Sequence, residues 1–240
     1  MFLRSWFIRS YSNRQKHLDA YVKKQFNYHP KDISLYETAL RHSSAAKKIK
    51  GGIKNSNERL EYLGDAVLDM IVADFLYAKY PLKPEGELTK MKAKVVNRKN
   101  LNTLGKELGL SRVIHKKLNK LEKHQSIIGN ALEALVGAMY LDIGYKRTKV
   151  LIVDLLVADG IEEHVHKITD YKSVLHEWCQ KQKKSLTFEV VSEIQAAGRS
   201  AYEIEVSVDD QMLGTGEAKS KKAAEQLAAK TAWISLGFSE

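Results

Sequence analysis

Asn57–Met70, "NERLEYLGDAVLDM", decides how the rest of the chain is read. It carries Glu58, Glu61, Asp65 and Asp69 at offsets of three, four and four. At about 100° per residue, those offsets hold the four carboxylates within roughly 80° of one another on a helical wheel. Like charges four apart on a helix repel by roughly 0.2–0.5 kcal/mol per pair, so helix stability alone does not account for the stripe. Gly64, Ala66, Val67, Leu68, Met70, Ile71, Val72 and Ala73 surround its lower part with apolar surface, and Leu68 and Val72 fall on its flank. The pattern predicts that Asp65 and Asp69 are partly enclosed, which is unfavourable without cations. Glu61 and Asp65, at i and i+4, converge on one point. The plainer alternative is a solvated acidic face, with Glu58 and Glu61 favoured at the positive end of the helix macrodipole.

A second segment narrows the choice. In "IIGNALEALVGAMYLD", Ile127, Ile128, Leu132, Leu135, Val136 and Met139 cover most of the helical wheel, and Asn130 and Glu133 share one side of it. Two helices each offering a pair of oxygen ligands suit hard divalent cations, Mg²⁺ or Mn²⁺, with waters completing the shell. In-line hydrolysis of a phosphodiester uses such a pair of metals about 3.5–4 Å apart. Asp142 lies on the far side of that helix and is no substitute for Asn130.

The chain has 240 residues, 44% hydrophobic and 28% charged, so it is long enough for one large or two small folded domains. No apolar run approaches the roughly 18 residues of a membrane span. The single cysteine, Cys179, excludes a disulfide framework and a cysteine-based zinc site and suits a reducing, cytoplasmic setting. Beside Trp178, it reads as packed core. Net charge is +10, and it is unevenly spread. Residues 170–240 hold 9 Lys+Arg against 11 Asp+Glu, a balance of −2, which leaves +12 for residues 1–169. A surplus of this size points to a polyanionic partner, nucleic acid first. The opening "MFLRSWFIRSYSNRQKH" is basic and acid-free, as a transit peptide is; Leu18, Tyr21, Val22 and Phe26 equally predict a plain first helix.

Residues from about 15 to 160 read as helix. "SLYETALRHSS" carries Glu37 three residues after Ser34, a capping-box spacing. "GELTKMKAKVVNRKNLNTLGKELGL" reads as one or two helices, with Lys90, Lys92, Lys94, Arg98 and Lys99 either lining a cleft or forming a solvated face. After "EEHVHKI" the periodicity changes. "YKSVLHEWCQKQ" is helical, while in "YEIEVSV" Tyr202, Ile204 and Val206 alternate with Glu203, Glu205 and Ser207. "LTFEVVSE" and "QMLGTGEA" read as further strands, and "KSKKAAEQLAAKTAWISLG" as a final helix. The expectation is an all-α domain over residues 1–165 and a small α-β-β-β-α domain over residues 168–238. His164 and His166 fall in the link between them and are not assigned a metal.

"NERLEYLGDAVL" resembles the signature of the ribonuclease III family, the double-stranded-RNA endonucleases. "ALRHSS", "GELTKMKAKVVNRKNL" and "GNALEALVGAMYLD" extend the resemblance, and the tail resembles a double-stranded-RNA-binding domain. The resemblance implies that Glu61, Asp65 and Glu133 hold catalytic Mg²⁺, with Asp65 and Glu133 most directly catalytic. Glu58 matches a position tied to the dimer interface. Asn130 departs from the aspartate usual there and is expected to act as a neutral metal ligand. Homodimers that leave 5′-phosphate and 3′-hydroxyl ends are implied, with maturation of ribosomal, messenger and transfer RNA precursors. The alternative that Asn130 keeps open is a weak or inactive duplex-RNA-binding protein retaining the fold.

In the tail, "GTGEAKSKKAAEQLAA" predicts two glycines in a tight strand-to-helix turn. Lys219, Lys221 and Lys222 then stand at a helix start, where free N–H groups also attract anions. The resemblance gives Ser220, Lys221 and Lys222 to phosphate binding and Glu177 to minor-groove hydroxyls. It gives Gly198, Arg199 and Ser200 a minor-groove contact, although the loop "QAAGRS" lacks the family's histidine.

Overall fold

The computed structural model describes residues 11–48, 51–52, 54–115, 125–168, 170–196 and 199–239. The basic segment 1–10 and Gly198 lie outside them, as do the side chains of Arg199 and Ser200. The chain divides into two compact units, Met1–Val165 and His166–Glu240.

The first unit is helical. It runs α1 (Asn13–Phe26), α2 (Ile33–Ala39), a 3₁₀ turn (Ser43–Ala45), α3 (Glu58–Lys79), α4 (Glu85–Val95) and α5 (Arg98–Glu107). It continues with α6 (Leu110–Val113), α7 (Gln125–Ile143), α8 (Tyr145–Ala158) and α9 (Ile161–His166). The "EEHVH" segment is therefore the last helix of this unit rather than open linker. α1 begins at Ser12, whose side chain forms a complete capping box with Gln15. α2 is capped by Asp32, which accepts from Ser34 N–H, and not by Ser34 as its sequence suggests. Asp142 at the end of α7 explains the difference: its carboxylate accepts from Lys31 N–H at 3.0 Å and Asp32 N–H at 2.8 Å, fixing the chain ahead of the helix. The stretch 85–107 is two helices, because Asn97 leaves helical geometry and caps α5 by accepting from Asn100 N–H.

α3 and α7 form the centre of the unit, and they cross backbone to backbone. A Cβ added to Gly64 would lie 1.7 Å from Glu133 O, and one added to Gly137 would lie 2.4 Å from Leu60 O. Real side chains do not survive such approaches, so these two glycines set the depth of the crossing. Leu60, Val67, Leu68, Ile71 and Val72 of α3 and Leu132, Leu135, Val136 and Met139 of α7 are buried around it.

The second unit runs α10 (Tyr171–Gln182), β1 (Leu186–Ala196), β2 (Arg199–Val208), β3 (Gln211–Ala218) and α11 (Lys221–Ser235). Its sheet is antiparallel in the order β1-β2-β3. Ile204, Val206 and Val208 face a core with Leu175, Cys179, Ala224, Ala228, Ala229 and Ala232, as the alternation predicts. Gly214 and Gly216 do not make the expected turn. Both lie inside β3, where added Cβ atoms would stand 2.5 Å from Ala228 O and 2.3 Å from Ala228 N. Their absent side chains let α11 lie directly on the sheet.

Candidate metal centre and nucleic-acid interface

The glycine crossing brings two pairs of oxygen-bearing side chains together. Glu61 and Asp65 lie on the turns of α3 flanking Gly64, and Asn130 and Glu133 on the facing turns of α7. The amide of Asn130 hydrogen-bonds the Glu61 carboxylate and favours its charged form, although burial leaves the Glu61 carboxyl raised on balance. Glu133 is pushed up to about 7, first by burial and then by the charges of Asp65 and Glu61, with a weaker push from Asp69. Arg98, at the start of α5, counters this at both Glu61 and Glu133.

Asp65 is exposed rather than enclosed, because α3 buries the flank carrying Leu60, Gly64, Val67 and Leu68 and leaves Asp65 outside it. Asp69 is half-buried and ion-paired with Lys92 of α4. Glu58 is exposed and accepts from the buried Ser56 hydroxyl at 2.9 Å. Among the described residues, no three acidic, histidine or cysteine side chains are drawn tightly enough to form a ready-made cation cage. The carboxylates nevertheless act on one another through space. An all-oxygen set of carboxylates and one amide, carrying more negative charge than Arg98 offsets, is chemistry that fits a hard divalent cation. Of the lysines ahead of α5, Lys92 is taken up by Asp69, and Lys94 donates to Val165 O at 3.0 Å.

α5 is held against α7 by Asn102, whose side-chain oxygen accepts from Gly129 N–H at 2.8 Å. That bond fixes the turn of α7 immediately before Asn130. Asn102, Gly64 and Gly137 are the residues that sequence reasoning missed. Glycines inside strongly apolar helices, Gly64 in α3 and Gly129 and Gly137 in α7, were the available signal.

In the second unit, Glu177 is exposed on α10, and Lys219, Lys221 and Lys222 are exposed where β3 passes into α11. Ser220 is the N-cap of α11, its hydroxyl accepting from Ala223 N–H at 3.3 Å. Gln226 of α11 donates to Asp170 at 2.7 Å and Lys172 pairs with Glu225 at 2.7 Å, locking α10 and α11 together. His164 contacts Asp159 at 3.1 Å.

The family profile described as Ribonuclease-III-like matches residues 32–159, and that of the double-stranded RNA binding motif matches residues 171–236. Ribonuclease 3 of Zunongwangia profunda is 39% identical over 217 residues, covering 90% of this chain and 89% of that protein. The chain belongs to the ribonuclease III family. Ribonuclease 3 of Phocaeicola vulgatus is 40% identical over 223 residues, covering 92% of this chain and 72% of that protein. Among solved structures, the nuclease domain of ribonuclease III from Campylobacter jejuni matches with a TM-score of 0.52 and 33% identity. It covers 58% of this chain and 96% of that domain, which has a region involved in dimer formation. The helical nuclease unit followed by a duplex-RNA-binding module is thus a ribonuclease III architecture.

Proposed function

We propose that this ribonuclease III chain is an endonuclease that hydrolyses phosphodiester bonds of double-stranded RNA at a divalent-metal centre. The single observation that carries it is the contact of Gly64 with Glu133 O. That contact sets the acids of α3 against those of α7. Glu61, Asp65, Asn130 and Glu133 are the residues that would hold the cation, with Asp65 and Glu133 the catalytic pair. When bound, Mg²⁺ or Mn²⁺ supplies compensating positive charge and an acidified water for in-line attack on phosphorus. Glu133, half-buried among acids, would hold the cation as a carboxylate, the charged form that its neighbours disfavour and the cation restores, and Asn130 keeps Glu61 oriented through its amide. Cleavage leaves a 5′-phosphate and a 3′-hydroxyl, the chemistry of maturing ribosomal, messenger and transfer RNA precursors.

In the second module, Lys219, Lys221 and Lys222 contact phosphates across the narrow groove of duplex RNA while Glu177 and the loop of Gly198, Arg199 and Ser200 reach minor-groove hydroxyls. Ser220 acts by capping α11 and so fixes the lysines that flank it. The two domains are residues 1–165 and 168–238. Among the described residues no helix is long and apolar enough to cross a membrane. The buried Cys179 thiol fits a reducing cytoplasm.

The working unit is a homodimer joined through α3. Tyr62, Met70 and Tyr77 are 83%, 57% and 74% exposed along one side of that helix. A groove of about 640 Å³, lined by Met70, Ala73, Leu76, Tyr77 and Leu88, opens at its far end. A two-fold axis that sets α3 antiparallel to its copy would seat each Tyr62 in the partner's groove. That the Campylobacter jejuni nuclease domain has a region involved in dimer formation supports a dimer.

The test is to incubate the protein with long duplex RNA in Mg²⁺ or in EDTA and resolve the products on a denaturing gel. Short fragments with 5′-phosphates in Mg²⁺ alone are expected. Intact but retarded duplex across Mg²⁺ and Mn²⁺ concentrations would make the chain a binding protein with a relic centre.

A further inference from the structure

Between Glu37 and Glu58 the sequence has no acidic residue, yet it carries Arg41, His42, Lys47, Lys48, Lys50 and Lys54. The fold gives part of this run a defined shape. An isolated antiparallel bridge pairs Lys48 with Lys54, and Asn55 N–H donates to Lys47 O at 3.0 Å. Like charges directly opposite across a strand pair are destabilising, so hairpin stability does not select this pairing. Lys47, Lys48 and Lys54 are exposed. No described carboxylate lies within the 4.0 Å of an ion pair with any of them. At the turn, Gly51 and Gly52 have φ of +85° and +79°, and a Cβ on either would meet nothing within 4 Å.

The stem is fixed by hydrogen bonds. Asn57 N–H donates to Arg41 O at 2.9 Å, and His42 N–H donates to His115 O at 2.9 Å. The Arg41 guanidinium reaches Asn55 O at 3.4 Å. Ser56 and Asn57 are buried. Asn57 O then accepts from Glu61 N–H at 2.8 Å, so the stem's hydrogen bonds run directly into the turn of α3 that bears Glu61.

We propose that Lys47, Lys48 and Lys54 form a phosphate-binding finger that grips the sugar-phosphate backbone of duplex RNA beside the carboxylate centre. The proposal rests on the reading of this chain as a duplex-RNA nuclease. A centre built of acids repels the phosphates it must approach, and a cationic projection whose stem is hydrogen-bonded into the start of α3 opposes that repulsion. Lysine ammonium groups on flexible stems suit phosphate oxygens rather than base edges. The finger therefore adds affinity without sequence preference, and the cost of placing Lys48 opposite Lys54 is relieved when phosphate lies between them.

The experiment compares full-length wild type with Lys47→Ser/Lys48→Ser/Lys54→Ser. Affinity for a blunt duplex RNA is measured in EDTA over a range of salt, and KM for its cleavage in Mg²⁺. The serine variant is expected to bind about tenfold or more weakly near 0.1 M salt, with the slope of log K against log salt shallower by about 2–3. KM should rise in step. Lys47→Arg/Lys48→Arg/Lys54→Arg should restore both. Unchanged slope and affinity in the serine variant, while wild type binds and cuts duplex RNA, would overturn the finger. A lower Tm with an unchanged slope would also overturn it, by making the lysines merely structural. Wild type that neither binds nor cuts duplex RNA would overturn the functional reading as well.

Discussion

The nuclease unit belongs to a basic stretch, +12 over residues 1–169, yet it gathers acids on the two helices that cross at its centre. The RNA-binding unit belongs to a slightly acidic stretch, −2 over residues 170–240, yet it gathers exposed lysines at the start of α11. Each places its working groups against its own background charge. In the first, burial and mutual repulsion hold the Glu133 carboxyl well above the usual range, a state that invites a cation. In the second, the lysines stay in solvent, where their charge acts over about a Debye length on a polyanion. The first unit half-buries Glu133 between helices, whereas the second leaves its lysines accessible to a long polymer.

Removing the enclosed charge gives the largest expected effect. Glu133→Ala should lower single-turnover cleavage about a thousandfold or more, the equivalent of about 4 kcal/mol of transition-state stabilisation. Binding of duplex RNA in EDTA should be retained. Cleavage within tenfold of wild type would remove Glu133 from the centre.

Next comes the crossing that assembles the centre. Gly64→Ala forces a methyl into the backbone of Glu133 and should cost about 3 kcal/mol or more. Thermal unfolding of the first unit should fall by about 6–12 °C, with cleavage lost alongside. Gly86→Ala, whose Cβ would meet open space in α4, should leave Tm unchanged or slightly raised. Equal Tm values for the two variants would mean that α3 and α7 do not cross at Gly64.

These two positions also mark what the sequence reveals and what it hides. The acid stripe of α3 is legible because its three- and four-residue spacing is local, and the strand alternation of β2 is legible for the same reason. The crossing is not, since a single glycine in a helix does not announce its partner seventy residues away. Asp69 illustrates the same limit. Its place on the stripe is plain, but its pairing with Lys92 of another helix is a tertiary fact. Asp65 was expected to be enclosed, yet only packing decides which flank of α3 meets α7. Gly214 and Gly216 suggest a turn by type and adjacency, and only the seat of α11 on β3 shows their purpose.

A smaller effect is expected in the second unit. Lys221→Ala/Lys222→Ala should weaken duplex binding about tenfold to a hundredfold near 0.1 M salt and reduce the salt slope by about 2. An unchanged slope would move the phosphate contacts away from the start of α11.

The smallest effect concerns Asn130. An aspartate there would replace the hydrogen bond to Glu61 with a like charge, making the centre more dependent on its cation. Asn130→Asp should lower the Mg²⁺ concentration for half-maximal rate by about threefold to tenfold, the scale of one added charge interaction screened as in water. It should also lower the Tm measured in EDTA. An unchanged Mg²⁺ requirement would separate Asn130 from the cation.

The most direct test of the division between cutting and holding is single-turnover cleavage of one duplex RNA at rising enzyme concentration in Mg²⁺. Glu133→Ala and Lys221→Ala/Lys222→Ala are measured side by side. The account predicts that the lysine variant regains rate as enzyme concentration rises, because its defect is in association. Glu133→Ala should stay inactive at every concentration that saturates the RNA. Recovery of Glu133→Ala by concentration alone, or a lysine variant that stays slow when fully bound, would contradict the assignment of chemistry to Glu133 and of holding to the lysines of α11.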